Sequence, residues 1–156
     1  MKSLTLFRHA KTERESDTGR DFDRQLNDRG RADAPRVGEE IRKLGLEYDL
    51  ILSSPAARAA QSAELAGLSP RYDERIYDAS SGELLALVQA VDDSVDRLML
   101  VGHNPGFERL ASRLHGQEVE MPTGSLIEMA LPIDGWKDAG SGGGRLVRFL
   151  KPKELD

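Results

Sequence analysis

The chain has 156 residues, of which 38% are hydrophobic, and a formal net charge of -5 at pH 7. This length suffices for one domain with a buried core, which we expect to span residues 1–156. The acidic balance argues against a nucleic-acid partner or an anionic membrane surface, because both usually require a basic face. The absence of cysteine excludes disulfides, thiolate catalysis and cysteine-ligated metals. No signal peptide or membrane-spanning stretch is recognisable, so we expect a cytoplasmic protein.

Apolar runs and turn residues predict strands that alternate with helices along most of the chain. The predicted strands are residues 4–7, 50–53, 97–101, 125–131 and 145–150. The charged stretch 11–25 is predicted to be a loop, and the glycine-containing stretches 134–135 and 141–144 are predicted to be turns. This alternation indicates an α/β fold, a single-domain three-layer sandwich with a mainly parallel sheet and helices on both faces.

The first predicted helix has clear boundary residues. Asn27 can cap a helix that starts at Asp28, and Gly45 can end it. Its apolar positions include Ala34, Val37, Ile41 and Leu44. Pro35 lies inside this helix, where the missing N–H group and the ring clash predict a kink.

Three further helices are predicted from similar signals. Pro55 suits the first turn of a helix that runs to about residue 66. Ser80 and Glu83 form a capping-box pattern, and Pro105 opens the last helix. The apolar faces of these last two helices consist of Leu84, Leu87, Val88 and Val91, and of Phe107, Leu110, Ala111 and Leu114.

Histidine and arginine side chains follow three of the predicted strands. Arg8 and His9 come at the end of the first, His103 follows the third, and the second leads to Arg58. In an open α/β sheet, ligands bind beyond the carboxyl ends of the strands. We therefore expect two imidazoles and two guanidiniums to meet in one pocket whose composition suits a phosphate group.

These residue types can transfer a phosphoryl group. A neutral imidazole can attack phosphorus and form a phosphohistidine, which water then hydrolyses. Neighbouring arginines disfavour the imidazolium and hold the phosphate oxygens. Each residue alone is more often an ordinary polar group, but His9 and His103 are two of only three histidines and both follow strands. The third, His115, is predicted to cap a helix end.

A metal site is the other interpretation of two histidines. No His-x-x-x-His or cysteine pattern accompanies them, so we expect neither a metal nor a cofactor.

Four segments, taken in order, resemble the motifs of the histidine phosphatase (phosphoglycerate mutase-like) superfamily. They are residues 6–12, 26–31, 53–63 and 101–105, and the resemblance extends from Leu4 to about Ser125. The resemblance implies that His9 is the nucleophile, that Arg8 and Arg58 clamp the phosphate, and that His103 completes the pocket.

Two details are similar to the small SixA-like phosphohistidine phosphatases. Ala10 replaces the glycine of the usual Arg-His-Gly motif, and the chain between the second arginine motif and the second histidine motif is too short for a large lid. The general acid of the family is usually a glutamate in a Leu-x-Glu context. Asp78 stands in the comparable position here, although it could equally be a loop carboxylate.

Further substrate contacts are expected around this pocket. The resemblance places Asn104 and the turn of Thr123 and Gly124 near the phosphate, whereas an ordinary turn is an equally good interpretation of the latter two. Lys11 could add charge at the rim or remain solvated.

The sequence thus predicts a metal-independent phosphatase that works through phosphorylated His9. The expected substrate is phosphohistidine on a protein, such as a histidine-containing phosphotransfer domain. The alternatives are a phosphatase for small phosphate monoesters and a non-catalytic module that binds phosphorylated protein. The oligomeric state is left open.

Overall fold

A computed structural model describes residues 1–140 and 142–155. Within these residues the strands are β1 Lys2–Arg8, β2 Leu50–Ser53, β3 Arg71–Tyr72, β4 Arg97–Gly102, β5 Leu126–Leu131 and β6 Arg145–Leu150. The α-helices are α1 Asp28–Lys43, α2 Ala57–Leu65, α3 Ser81–Gln89 and α4 Gly106–His115. Short 3-10 helices lie at Asp21–Asp23, Glu74–Ile76, Trp136–Asp138 and Pro152–Glu154.

The strands form one mixed sheet in the order β3-β2-β4-β1-β5-β6. The pairs β3–β2, β2–β4 and β4–β1 are parallel, whereas β5 runs antiparallel to β1 and β6 antiparallel to β5. The predicted α/β fold with a mainly parallel sheet is confirmed. The carboxyl ends of β1, β2 and β4 consequently lie side by side at one edge.

The central strands β1 and β4 are buried on both faces, as is typical of parallel strands covered by helices. Successive side chains of β1 and β4 enter different cores because strand residues alternate between faces. Leu4, Leu6, Leu98 and Leu100 pack with apolar residues of α3 and α4. Phe7, Met99 and Val101 pack with Val37, Ile41, Ala59 and Ala63 of α1 and α2. The three predicted layers are therefore present.

The predicted boundaries of α1 are confirmed. Asn27 Oδ1 accepts a hydrogen bond from the N–H of Gly30 at 2.9 Å, and Gly45 lies beyond the helix with φ of +66°. The helix continues through Pro35, where a kink stays a prediction. Leu44, expected on the apolar face, is instead 40% exposed, and it is the C-cap residue that follows the last turn of α1.

Two other helices differ from the prediction at one end. The capping box of Ser80 and Glu83 is confirmed. However, α2 begins at Ala57 and not at Pro55, because the preceding Ala56 has φ of -55° and ψ of 141°, outside the helical region. Val91, placed on the apolar face of α3, lies beyond the end of that helix and is half-buried.

Other differences concern short or irregular segments. Strand β3 has only two residues and was not predicted, and Ser125 precedes β5 and does not belong to it. The loop 11–25 contains one 3-10 helix. In the stretch 141–144, Gly142 and Gly143 have positive φ, in line with the predicted turn, and Ser141 lies outside the described residues.

Candidate active site

His9 and His103 are neighbours because their strands are neighbours. Arg8, the last residue of β1, lies opposite Gly102, the last residue of β4. The N–H of His9 donates to the carbonyl oxygen of Gly102 at 3.0 Å, so the pairing continues by one residue beyond the strands. The two imidazole rings that follow have centroids 5.3 Å apart and planes inclined by 56°. The expected meeting of both histidines at the sheet edge is therefore observed.

Arg58 reaches this edge from the first turn of α2. Its guanidinium is buried and donates from Nη1 to the backbone oxygen of Asp21 at 2.8 Å and from Nη2 to the carboxylate Oδ2 of Asp21 at 2.9 Å. It also lies 5.9 Å from the ring centroid of Tyr77, whose ring packs edge-on against His103 at 5.7 Å. The second guanidinium is thus beside the two histidines.

Arg8 is held on the other side of the pocket by the chain before β5. Its Nη1 donates to the carbonyl oxygen of Met121 at 2.7 Å, and the amide of Asn104 donates to the same oxygen at 3.0 Å. Glu108 closes this arrangement, because its carboxylate accepts from the N–H of Met121 while its own N–H donates to Asn104 Oδ1. In this structure Asn104 orders the segment that holds Arg8, and a contact with substrate stays a prediction.

The hydrogen bond of His9 determines which of its nitrogens is free. Nδ1 lies 2.7 Å from the carbonyl oxygen of Ala10, which can only accept, so Nδ1 carries the proton and Nε2 has the lone pair. Burial lowers the pKa of His9 to about 4, and the positive charges of Arg58 and Arg8 act in the same direction, whereas the bond to Ala10 opposes the shift. At neutral pH the ring is therefore uncharged and can act as a nucleophile.

His103 is also neutral at physiological pH. Burial lowers its pKa to about 3, and the positive charge of Arg58 adds to the shift. Its Nε2 lies 2.8 Å from the hydroxyl of Ser54, the residue that follows β2. All three strand ends consequently contribute a polar side chain to the site.

Arg8, Arg58 and His103 each have one buried nitrogen that lacks a hydrogen-bond partner among the residues that the structure describes. These atoms are Arg8 Nε, Arg58 Nε and His103 Nδ1. Seven buried side-chain polar atoms of the described residues lack such a partner, and these three belong to residues predicted to hold phosphate. A bound oxyanion can accept hydrogen bonds from such groups, and its charge complements the two guanidiniums.

Three site residues were missed from sequence. Asp21, Tyr77 and Arg24 surround Arg58 and His9, but nothing in their local sequence distinguishes them from the other charged or aromatic residues. Burial disfavours the charged form of Asp21, yet hydrogen bonds from Tyr77, Arg24 and Arg58 outweigh it and lower the pKa of Asp21 to about 2. The charge of Arg24, which donates to the Thr12 hydroxyl at 2.9 Å, contributes to the lowered pKa of His9.

The other predicted site residues lie around this group. Asp78 is exposed, has a φ of +54° and directly follows Tyr77; its role as general acid stays a prediction. Lys11 is exposed, and Thr123 is half-buried. The N–H of Gly124 donates to the carbonyl oxygen of His9 at 2.8 Å, so this donor already serves to position the histidine.

His115 is apart from the site, as expected. It is the last residue of α4 and its Nδ1 lies 2.8 Å from the carbonyl oxygen of Gly144. In residues 1–140 and 142–155, no group of three or more histidine, aspartate or glutamate side chains is arranged to hold a metal ion. None of the helices in the described chain combines the length and apolar character that crossing a bilayer requires.

Comparisons with known proteins agree with this geometry. The family model of the histidine phosphatase superfamily (branch 1) matches residues 4–120. A solved structure of a SixA protein from Agrobacterium tumefaciens is 31% identical, with a TM-score of 0.82 over 97% of this chain and 98% of that chain. The structure of the protein histidine phosphatase SixA complexed with tungstate shares the fold at 20% identity, with a TM-score of 0.83 over 99% of each chain.

A relative known from sequence is also similar along most of its length. An uncharacterized protein of Mycobacterium tuberculosis is 32% identical over 145 residues, which are 85% of this chain and 92% of that protein. The family model covers all four motif segments, three of which carry His9, Arg58 and His103, and the structural matches extend almost from end to end. The chain belongs to the histidine phosphatase superfamily (branch 1), in its SixA-like group, and is a phosphatase.

Proposed function

We propose that this chain hydrolyses phosphohistidine on a protein through a phosphorylated His9 intermediate, without a metal ion. The observation that carries the proposal is the state of His9. Its Nδ1 proton is bonded to Ala10, its pKa is lowered to about 4, and Nε2 therefore has a free lone pair at neutral pH. A site that only binds phosphate has no need of a neutral nucleophile, which speaks against the non-catalytic alternative.

The reaction has two displacements at phosphorus. In the first, His9 Nε2 forms a bond to phosphorus while the bond to the substrate nitrogen breaks, and the leaving nitrogen keeps the electron pair and gains a proton. In the second, water attacks phosphorus and gives up a proton to solvent, while the Nε2–phosphorus bond breaks, Nε2 keeps the electron pair and inorganic phosphate is released. Arg8, Arg58 and His103 would hold the phosphoryl oxygens, whose negative charge must be stabilised in both transition states.

A protein substrate is favoured by the small amount of chain around the pocket. Between α2 and α3 the structure has only the two-residue strand β3 and the turn Glu74–Ile76, with no further helix to cover the site. A phosphorylated side chain on a protein surface can enter such an open site. A small ester finds few remote contacts that could lower its barrier. The proposed substrate also implies cytoplasmic signalling, in which phosphohistidine on a phosphotransfer domain is removed.

Asp78 is proposed as the group that protonates the leaving nitrogen. It is exposed and follows Tyr77, which packs against His103. An imidazole leaving group depends less on a strong acid than an alkoxide does, so Asp78→Asn should affect a phosphohistidine substrate less than a phosphate monoester.

The intermediate can be trapped directly. The protein is mixed with a ³²P-phosphohistidine protein and quenched within milliseconds, and label should appear on His9 in the wild type. His9→Asn should fold normally and carry no label, and His115→Asn is the matched control that should behave as the wild type. Label on His103, or turnover without any labelled enzyme, would contradict the proposed intermediate.

Substrate class and metal independence need separate measurements. We expect kcat/KM for a phosphorylated phosphotransfer domain to exceed that for each member of a sugar-phosphate panel. A tenfold preference for a sugar phosphate, about 1.4 kcal/mol in transition-state binding, would favour the small-ester alternative. Activity should survive dialysis against a chelator, and a loss restored by a divalent metal would refute metal independence.

A further inference from the structure

Ser54 directly follows β2 and is fully buried. Its backbone N–H continues the sheet by donating to the carbonyl oxygen of Val101 at 2.9 Å. Its hydroxyl oxygen accepts a hydrogen bond from the N–H of Ala56 at 3.2 Å, a group that can only donate. The hydroxyl proton of Ser54 therefore remains available for a different partner.

That partner is His103, whose Nε2 lies 2.8 Å from the hydroxyl oxygen of Ser54. In a pair of this kind only one atom donates. If Ser54 donates, Nε2 of the neutral ring accepts and the ring proton is on Nδ1. If His103 donates instead, the hydroxyl oxygen receives two donors, and Nδ1 becomes a buried lone pair without a partner.

The charge of a bound anion favours the arrangement in which Ser54 donates. Nδ1 of His103 is one of the three unpaired buried nitrogens of the site, and the others belong to the guanidiniums of Arg8 and Arg58. A pocket with two guanidiniums is built for an anion. A lone pair facing an anion repels it, whereas an N–H group stabilises it, so the anion favours the proton on Nδ1.

The two histidines then have complementary forms. His9 donates from Nδ1 to Ala10 and presents the lone pair of Nε2. His103 accepts at Nε2 from Ser54 and presents a proton at Nδ1. In each ring, the hydrogen bond made by one nitrogen determines whether the other nitrogen carries a proton. This is a common means of giving two imidazoles different roles.

We propose that Ser54 is a positioning residue: by donating its hydroxyl proton to His103 Nε2, it fixes the His103 tautomer that donates from Nδ1 to the phosphoryl group. The proposal rests on the proposed phosphatase function of this pocket. Ser54 itself does not touch the phosphoryl group in this role.

A purely structural role of Ser54 is the competing explanation, since its hydroxyl also binds Ala56. Ser53 offers a matched control, because it is equally buried and its hydroxyl donates to the carbonyl oxygen of Ser54. Ser54→Ala removes both hydrogen bonds of the Ser54 hydroxyl, whereas Ser54→Thr retains a hydroxyl that can reach His103. Ser53→Ala removes a neighbouring buried hydroxyl and leaves His103 untouched.

The tautomer is read by NMR of protein labelled with ¹⁵N-histidine and saturated with inorganic phosphate; the protonated and unprotonated ring nitrogens differ in chemical shift. The chain has three histidines, and His103→Gln assigns the signals. In the wild type and in Ser53→Ala we expect His103 to be protonated at Nδ1. In Ser54→Ala we expect a mixture of tautomers, and Ser54→Thr should restore the single form. A wild-type ring protonated at Nε2 would overturn the proposal, even if Ser54→Ala fails to fold.

Kinetics supply the second measurement. We expect Ser54→Ala to lower kcat/KM roughly ten- to hundredfold, less than the loss of about 10²–10³-fold on removing a preorganised donor outright. Ser54→Thr should recover most of the rate. An unchanged tautomer in Ser54→Ala would overturn the proposal, even if activity falls. A wild type that has the expected tautomer but forms no phosphoenzyme would refute the proposed function and not the tautomer assignment.

Discussion

Tyr77 donates its hydroxyl proton to Asp21 Oδ2 over 2.8 Å, although the two residues are 56 positions apart. The same carboxylate oxygen accepts from Arg58 Nη2 at 2.9 Å. Asp21 therefore connects the loop 11–25, the first turn of α2 and the chain before α3. Its low pKa, about 2, keeps Asp21 charged at neutral pH, so the carboxylate can accept both hydrogen bonds there.

Asp21→Ala should lower kcat/KM about tenfold, because the buried guanidinium of Arg58 loses the carboxylate that orients it. The stability should fall by about 1–3 kcal/mol, since the buried guanidinium of Arg58 keeps its charge but loses a carboxylate partner. Steady-state kinetics and urea denaturation measure the two effects. Asp17→Ala, an exposed position in the same loop, is the control and should be silent. Wild-type kinetics for Asp21→Ala would show that Arg58 is held without it.

Arg8→Ala and Arg58→Ala should each reduce kcat by about 10²-fold or more, because each removes positive charge and donors that act on the transition state. The comparison is Arg75→Ala, an exposed arginine paired with Asp73, which should retain full activity. Arg58→Lys should recover only part of the rate, since a lysine lacks the planar fork of the guanidinium. Turnover close to wild type in either alanine variant would remove that arginine from the site.

Stability should fall as the pH is lowered from about 7 to about 4.5. The pKa of His9 is about 4 in the folded protein against an ordinary value of 6.5, so in this interval the unfolded chain binds more protons than the folded one. His9 alone should cost roughly 2–3 kcal/mol by pH 4.5, and His103 adds to it in the same direction. Urea denaturation at both pH values tests this, with His115→Asn as control. An NMR titration midpoint of His9 near 6.5 would contradict it.

Gly102→Ala should destabilise the fold by about 1–3 kcal/mol, as overpacking in a core does. A Cβ at this position would lie 2.7 Å from Phe107 Cζ and 2.8 Å from Ile76 Cγ2, both in fully buried side chains. Gly82→Ala is the matched control in α3, where the nearest atom would be 3.9 Å away, and it should be neutral or slightly stabilising. Equal denaturation midpoints for both variants would show that the Phe107 side chain can move aside without lowering the free energy of unfolding.

The sequence predicted those features that depend on nearby residues. The caps at Asn27 and Ser80 act within one turn, and β2 and β6 are continuous runs whose bounds were correct. The placement of His9 and His103 followed from where their strands end. These are local signals, so one sequence was enough to read them.

The remaining features depend on contacts between distant residues. Asp21 meets Arg58 across 37 positions, and a single sequence holds no signal for such a pair. The two-residue strand β3 forms because β2 offers an unpaired edge, not because of its own composition. The tautomer of His103 depends on a hydroxyl 49 positions away. Tertiary structure decides each of these.

The spacing of His9 and His103 has a consequence for protein engineering. Adjacent strands of a sheet lie about 4.8 Å apart. The two histidines directly follow the paired ends of β1 and β4, so the spacing of these strands sets the distance between the rings. Loops in other parts of the fold can therefore be exchanged while His9 and His103 keep their relative positions. A lid grafted between α2 and α3 should convert this open site into one that selects small molecules, with the phosphoryl-transfer chemistry unchanged.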